Sequence, residues 1–112
     1  MQYSVAYARD VPDINLGIVA EDNGAYSCRF RWDEELKQQL VSRHLTPAAL
    51  SYLSHLQTIY DGLSNEKGFS FEMLPPRDSN WKPSWNHCLF LDPIETEANL
   101  DTIYDRHIMN ML

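Results

Sequence analysis

A chain of 112 residues, with 44% hydrophobic and 22% charged side chains, six prolines and four glycines, has the composition of one soluble domain with a modest core. That composition excludes collagen-like, disulfide-scaffold and wholly disordered chains. A formal net charge of -7 argues against a protein that holds nucleic acid through its overall field.

Residues 2 to 8 alternate Tyr3, Val5 and Tyr7 against Ser4, Ala6 and Ala8, the two-residue period of a strand. After the turn-rich Arg9-Asp10-Val11-Pro12-Asp13, Ile14 to Glu21 reads as a second strand, in which Gly17 signals a bulge or a close backbone approach. Asn23-Gly24 supplies the two positive φ angles of a tight hairpin turn, and Ala25 to Arg31 alternates Tyr26, Cys28 and Phe30 against Ser27, Arg29 and Arg31. Asp33 then caps a helix that carries Leu36 and Leu40 and stops near His44. Thr46 and Pro47 start another, with Leu50, Leu53, Leu56 and Tyr60 facing the core and Gly62 as its stop.

Phe69, Phe71 and Met73 alternate with Ser70 and Glu72 and predict a further strand before Pro75-Pro76. Residues 75 to 86 form a loop with three of the six prolines and two of the three tryptophans, so its large side chains need an explanation. His87 to Leu91 reads as a short strand, Asp92-Pro93 as a turn and Thr96 as the cap of a closing helix. Along that helix Leu100, Ile103, Tyr104, His107, Ile108 and Met111 make one apolar face.

No basic stretch followed by an apolar run opens the chain, and no apolar run is long enough to span a bilayer, so a cytoplasmic protein without membrane attachment is expected. Cys28 and Cys88 lie in no redox or zinc spacing and read as small buried hydrophobes, with a disulfide between them left open.

Three segments together resemble the bacterial domain-of-unknown-function family numbered 3037. They are the opening strand Tyr3 to Ala8, the Pro-Asp turn leading into Asn15-Leu16-Gly17-Ile18-Val19, and the closing Leu100-Asp101-Thr102-Ile103-Tyr104-Asp105-Arg106-His107-Ile108. The chain departs from that pattern at Ile14 and Leu16. The resemblance implies a regulatory or toxin-linked setting, because members of that family are often encoded beside HipA-like kinases, and it assigns no residue a role.

Chemistry-bearing constellations are sparse. Cys88 beside His87 would point to the opposite face of a strand, the four glycines never cluster into a phosphate cradle, and His44, His55, His87 and His107 lie far apart. His107 sits on the apolar stripe and reads as a core histidine. No catalytic set, metal site or cofactor is expected.

Two features exceed background. Glu97, Asp101 and Asp105 at i, i+4 and i+8 would stack three like charges on one helical face, either as a solvated or arginine-paired face or as a docking surface for a basic partner. Trp81 and Trp85, beside Arg77 and Lys82, are residue types that dominate binding hot spots, unless both rings fold into the core.

The expectation is therefore a single α+β domain over residues 1–112, an antiparallel sheet led by the hairpin at about 14–31, with about three helices on one face. Its function reads as a non-catalytic interaction module that regulates a protein partner. The alternatives are an acidic phage- or mobile-element-type inhibitor of a nucleic-acid enzyme and a small hydrolase using the histidines. An exposed patch would equally suit a homodimer.

Overall fold

The structure, a computed structural model, describes residues 1–76 and 87–109. Five strands make one antiparallel sheet: β1 (Gln2–Ala8), β2 (Val11–Asp22), β3 (Ala25–Phe30), β4 (Cys88–Phe90) and β5 (Ile94–Glu95). The order is β3-β2-β1-β4, and β5 also lies on β1. Because β4 pairs with Ala6 to Ala8 and β5 with Gln2 and Tyr3, the two act as one edge strand interrupted at Leu91-Asp92-Pro93. Two residues are too few to show a period, which is why the sequence does not predict β5.

The predicted hairpin forms with Asn23 and Gly24 both at positive φ, 52° and 86°. The register of β2 on β1 slips twice. Leu16 is an extra residue between the pairs Ala6↔Gly17 and Tyr7↔Asn15, and Pro12, Asp13 and Ile14 lie outside the pairs Tyr7↔Asn15 and Ala8↔Val11. This corrects the predicted start at Ile14: β2 begins at Val11, with Pro12 carried in the irregularity, where its missing donor costs no ladder bond. Gly17 is required by the bulge, since a Cβ there would stand 2.7 Å from the Arg29 carbonyl oxygen and closer still to the Phe30 ring.

Helix α1 (Glu34–Ser42) starts as predicted, the Asp33 carboxylate accepting from the Leu36 N–H at 2.8 Å, and ends before His44, whose φ is 66°. Thr46 likewise caps α2 (Pro47–Ser54). The single helix expected to run to Gly62 breaks at His55, and α3 (Leu56–Ser64) follows with Gly62 inside it. Side chains cause the break: Ser54 Oγ donates to the Ser51 carbonyl and His55 Nδ1 lies 2.7 Å from it, while the His55 N–H turns to Tyr52 instead.

The strand expected at Phe69–Met73 is replaced by a short 3-10 helix, Phe71–Met73. Its aromatics close over Tyr26 edge-on, Phe69 at 4.9 Å and Phe71 at 5.2 Å between ring centroids, and packing on one ring outweighs the alternation. The closing helix α4 (Leu100–Tyr104) is capped by Asn99, not Thr96, and continues as a π-helical turn, Asp105–Met109. Thr96 instead accepts from Ala98 in the preceding turn.

The α+β class is as expected, but the helices divide three to one. One face of the sheet buries Leu16, Val19, Phe90 and Ala6 under Leu36 and Leu40 of α1, Leu53 of α2 and Leu56 and Tyr60 of α3. On the opposite face Ile103, Tyr104 and Ile108 cover Tyr3, Val5, Ile18 and Ala20. The outer edge of β3 is closed by Gln57, whose side-chain amide accepts from the Phe30 N–H at 2.7 Å and donates to the Cys28 carbonyl at 3.2 Å, as a neighbouring strand would. Among the described residues no helix is long and apolar enough to cross a membrane.

Candidate functional site

Arg77, Trp81, Lys82 and Trp85 lie outside the described residues. Of the described residues on either side, Pro76 bridges Phe90, the Pro75 carbonyl accepts from the Phe90 N–H at 2.8 Å, and His87 immediately precedes β4.

The three-residue acidic stripe is reduced to the pair Asp101 and Asp105. Glu97 precedes the Asn99 cap and so is not helical, whereas Asp105 keeps its helical spacing from Asp101, its N–H donating to the Asp101 carbonyl. Asp101 is held by Arg29 at 2.8 Å, and that guanidinium also lies 4.1 Å over the Tyr104 ring. The arginine-paired reading of Asp101 therefore holds, and the pair fastens α4 to β3.

The two thiols are free and cannot pair. They sit on strands at opposite ends of the order β3-β2-β1-β4, about 14 Å apart at three strand spacings, twice the reach of a disulfide. Burial pushes the Cys28 thiol up to about 12, with the Asp61 carboxylate 3.2 Å away adding to it. Complete burial raises Cys88 as well. Both stay protonated at neutral pH, which is the opposite of an activated nucleophile.

The histidines separate into different roles. His107 is the core histidine predicted: its Nε2 is hydrogen-bonded to the Tyr3 hydroxyl at 3.0 Å, and its carbonyl accepts from Asn15 Nδ2 at 3.1 Å. His87 lies against the Tyr52 ring with Nδ1 buried, 3.8 Å from the Asp10 carboxylate, which is too long for a hydrogen bond. Burial and then Arg9 hold its pKa below the ordinary value, and Asp10 opposes that shift. Among the described residues no group of three histidine, cysteine or acidic side chains could hold a metal ion.

Exposed acidic side chains and a half-buried tryptophan gather along α1, which sequence reasoning did not single out. Trp32, half-buried where β3 turns into α1, lines a furrow with Lys37, Pro47, Leu50, Ser51 and Ser54, a cavity of about 360 Å³ between α1 and α2. Val41, 51% exposed, continues the Lys37 flank of α1 one turn later. Beside Trp32 the first turn of α1 exposes Glu34 and Glu35 next to the capping Asp33. Arg31 pairs with Asp33 at 2.7 Å and lies 3.8 Å from Glu35, which leaves the turn net acidic. The available signal was the run Arg31-Trp32-Asp33-Glu34-Glu35, in which a tryptophan stands among charged residues just before the Asp33 cap.

The other flank of α1 carries two adjoining cavities of about 190 Å³ and 300 Å³ that share Ile14 and Gln39. Searches against family models, curated proteins and solved structures match nothing to this chain.

Proposed function

We propose that the protein is a non-catalytic module that binds and regulates a partner protein, meeting it with the Trp32 furrow and the acidic first turn of α1. The observation that carries this reading is the placement of a half-buried tryptophan, Leu50 and Pro47 beside exposed Glu34 and Glu35. A large rigid ring gives contact area at small entropic cost, and an acidic rim on a chain of net charge -7 favours a basic partner surface. Two protonated thiols and a histidine committed to packing favour recognition over nucleophilic chemistry. The resemblance to family 3037 supports a regulatory setting.

The experiment is affinity capture from the native host with wild type and Trp32→Ala, followed by calorimetry with the purified partner. About tenfold or greater weakening by Trp32→Ala, and affinity that falls with added salt, are expected. Unchanged binding by a folded Trp32→Ala protein would overturn the reading. A parallel Trp81→Ala/Trp85→Ala protein measures whether the second tryptophan group shares the surface. Competition by DNA would identify the partner as a nucleic-acid enzyme and the protein as its acidic inhibitor.

A further inference from the structure

Of the seven asparagines in the chain, Asn23 alone is followed by glycine. The two residues form the tip of the β2-β3 hairpin, beyond the last ladder pair Asp22↔Ala25, and all four of these residues are exposed. The tip lies at the Gln2 end of β1, whereas Pro76 and His87 adjoin the end at Ala6 to Arg9. A backbone nitrogen that follows asparagine can attack the side-chain amide, and glycine hinders that attack least. At Gly24 a Cβ would meet nothing within 4 Å, so no neighbour shields the nitrogen from that side.

The reaction is a ring closure. The Gly24 nitrogen, giving up its proton, bonds to Asn23 Cγ, the Cγ–Nδ2 bond breaks, and ammonia leaves with that proton. Water then opens the five-membered imide: cleavage of the new bond gives aspartate at position 23, and cleavage of the original peptide bond gives isoaspartate. The folded turn opposes closure in two ways. Positive φ angles of 52° and 86° across a two-residue loop are those of a type I′ turn, in which ψ of the first residue is about +30°. That sets Asn23 Cβ nearly trans to the Gly24 nitrogen across the Cα–C bond, whereas the ring needs the two nearly eclipsed. The Glu21 carboxylate, moreover, accepts from the Gly24 N–H at 2.6 Å. This bond holds the turn shut, and its negative charge disfavours loss of the proton that the attacking nitrogen must shed.

We infer that Asn23-Gly24 is a site of spontaneous deamidation, and that Glu21 restrains the reaction by holding the Gly24 N–H. Closure waits on opening of the turn, and Glu21 sets how often the turn opens. The two products differ in what they do to the hairpin. Aspartate tolerates a positive φ, so it keeps the turn and adds one negative charge beside Glu21 and Asp22. Isoaspartate inserts an extra main-chain carbon between Asp22 and Ala25, which a two-residue loop in this register does not accommodate.

The test incubates the full chain at mildly alkaline pH, folded and in concentrated urea, and follows deamidation by mass spectrometry of its tryptic peptides, with fragmentation assigning the site. Folded Glu21→Ala should deamidate at position 23 about fivefold faster than folded wild type, the effect of one lost hydrogen bond on turn opening. Wild type in urea should be faster than both. The Gly24 amide of Glu21→Ala should also exchange faster, while the Ser27 amide, opposite Ala20 in the ladder, keeps its wild-type rate. Equal deamidation in folded wild type and Glu21→Ala would overturn the restraint, and slower deamidation in Glu21→Ala would make the carboxylate a general base instead. A wild-type rate no higher in urea than in the folded state would refute protection by the turn, and earlier modification of another asparagine would refute the site. If Glu21→Ala also quickens Ser27 exchange, having loosened the strands, Glu21→Gln serves in its place. Its neutral amide keeps the size and weakens the bond, so its rate should still exceed that of wild type, and a rate no higher would overturn the inference.

Discussion

The two faces of the sheet are held by different physics. Under α1, α2 and α3 the contact is broad and apolar, drawing on β1, β2 and β4 together with Phe69 and Leu74. Under α4 it is, among the described residues, a small patch of seven buried ones, and polar ties supplement it: Tyr3 to His107, Asn15 to the His107 carbonyl, and Arg29 to both Asp101 and the Tyr104 ring. Apolar burial is nondirectional and needs area, so a short closing segment takes its orientation from hydrogen bonds and an ion pair. The first face should therefore set global stability, and the second the docking of one helix.

The sharpest way to break that comparison is to remove the same kind of volume from each face. Leu40→Ala, at a site with no exposure, should cost about 3 kcal/mol in urea unfolding and lower protection of every slow amide. Ile103→Ala, equally buried, should instead speed exchange mainly in α4, and a global loss as large as that of Leu40→Ala would refute the division. Gly17→Ala comes next, at about 2 kcal/mol, because the bulge places its new methyl against backbone and the Phe30 ring; a neutral result would mean that the bulge shifts to accommodate it.

Smaller effects sharpen the polar half. Tyr3→Phe removes the partner of His107 Nε2 and should cost about 1 kcal/mol, with α4 again the segment that loosens. Burial, with Arg106 adding repulsion, holds His107 below the ordinary value of 6.5. His87 is lowered in the same direction. The unfolded chain therefore takes up protons that the folded one refuses, so stability is full above pH 6.5 and declines as pH falls below it. Urea midpoints on both sides of that value measure this, and His107→Gln should flatten the slope. The smallest change is Arg29→Ala, about 0.5 kcal/mol, since the Arg29–Asp101 pair is largely exposed.

The sequence was legible where a local rule is strong. The Asn23-Gly24 hairpin, the Asp33 and Thr46 caps and the Gly17 bulge each depend on a few neighbouring atoms, and each forms as read. The readings that failed depend on competition. Phe69 and Phe71 alternate like a strand but are drawn to Tyr26, and Ser51 and Ser54 compete with the backbone of α2 at His55. Regular spacing put Glu97, Asp101 and Asp105 on one face, but helix phase starts only at the Asn99 cap and leaves Glu97 out. The site was less legible still, because Trp32 acquires meaning only from α2.

What the sequence determined by itself is therefore the class of the protein, its acidity, its hairpin and its helix starts, all set by composition or by contacts within a few residues. Tertiary structure alone decided that the closing helix takes the opposite face, that Asp101 meets Arg29, and that β2 outruns β3 beside α1. Those outcomes join groups far apart in the chain, and their energies depend on which surfaces meet, a quantity that no local pattern encodes.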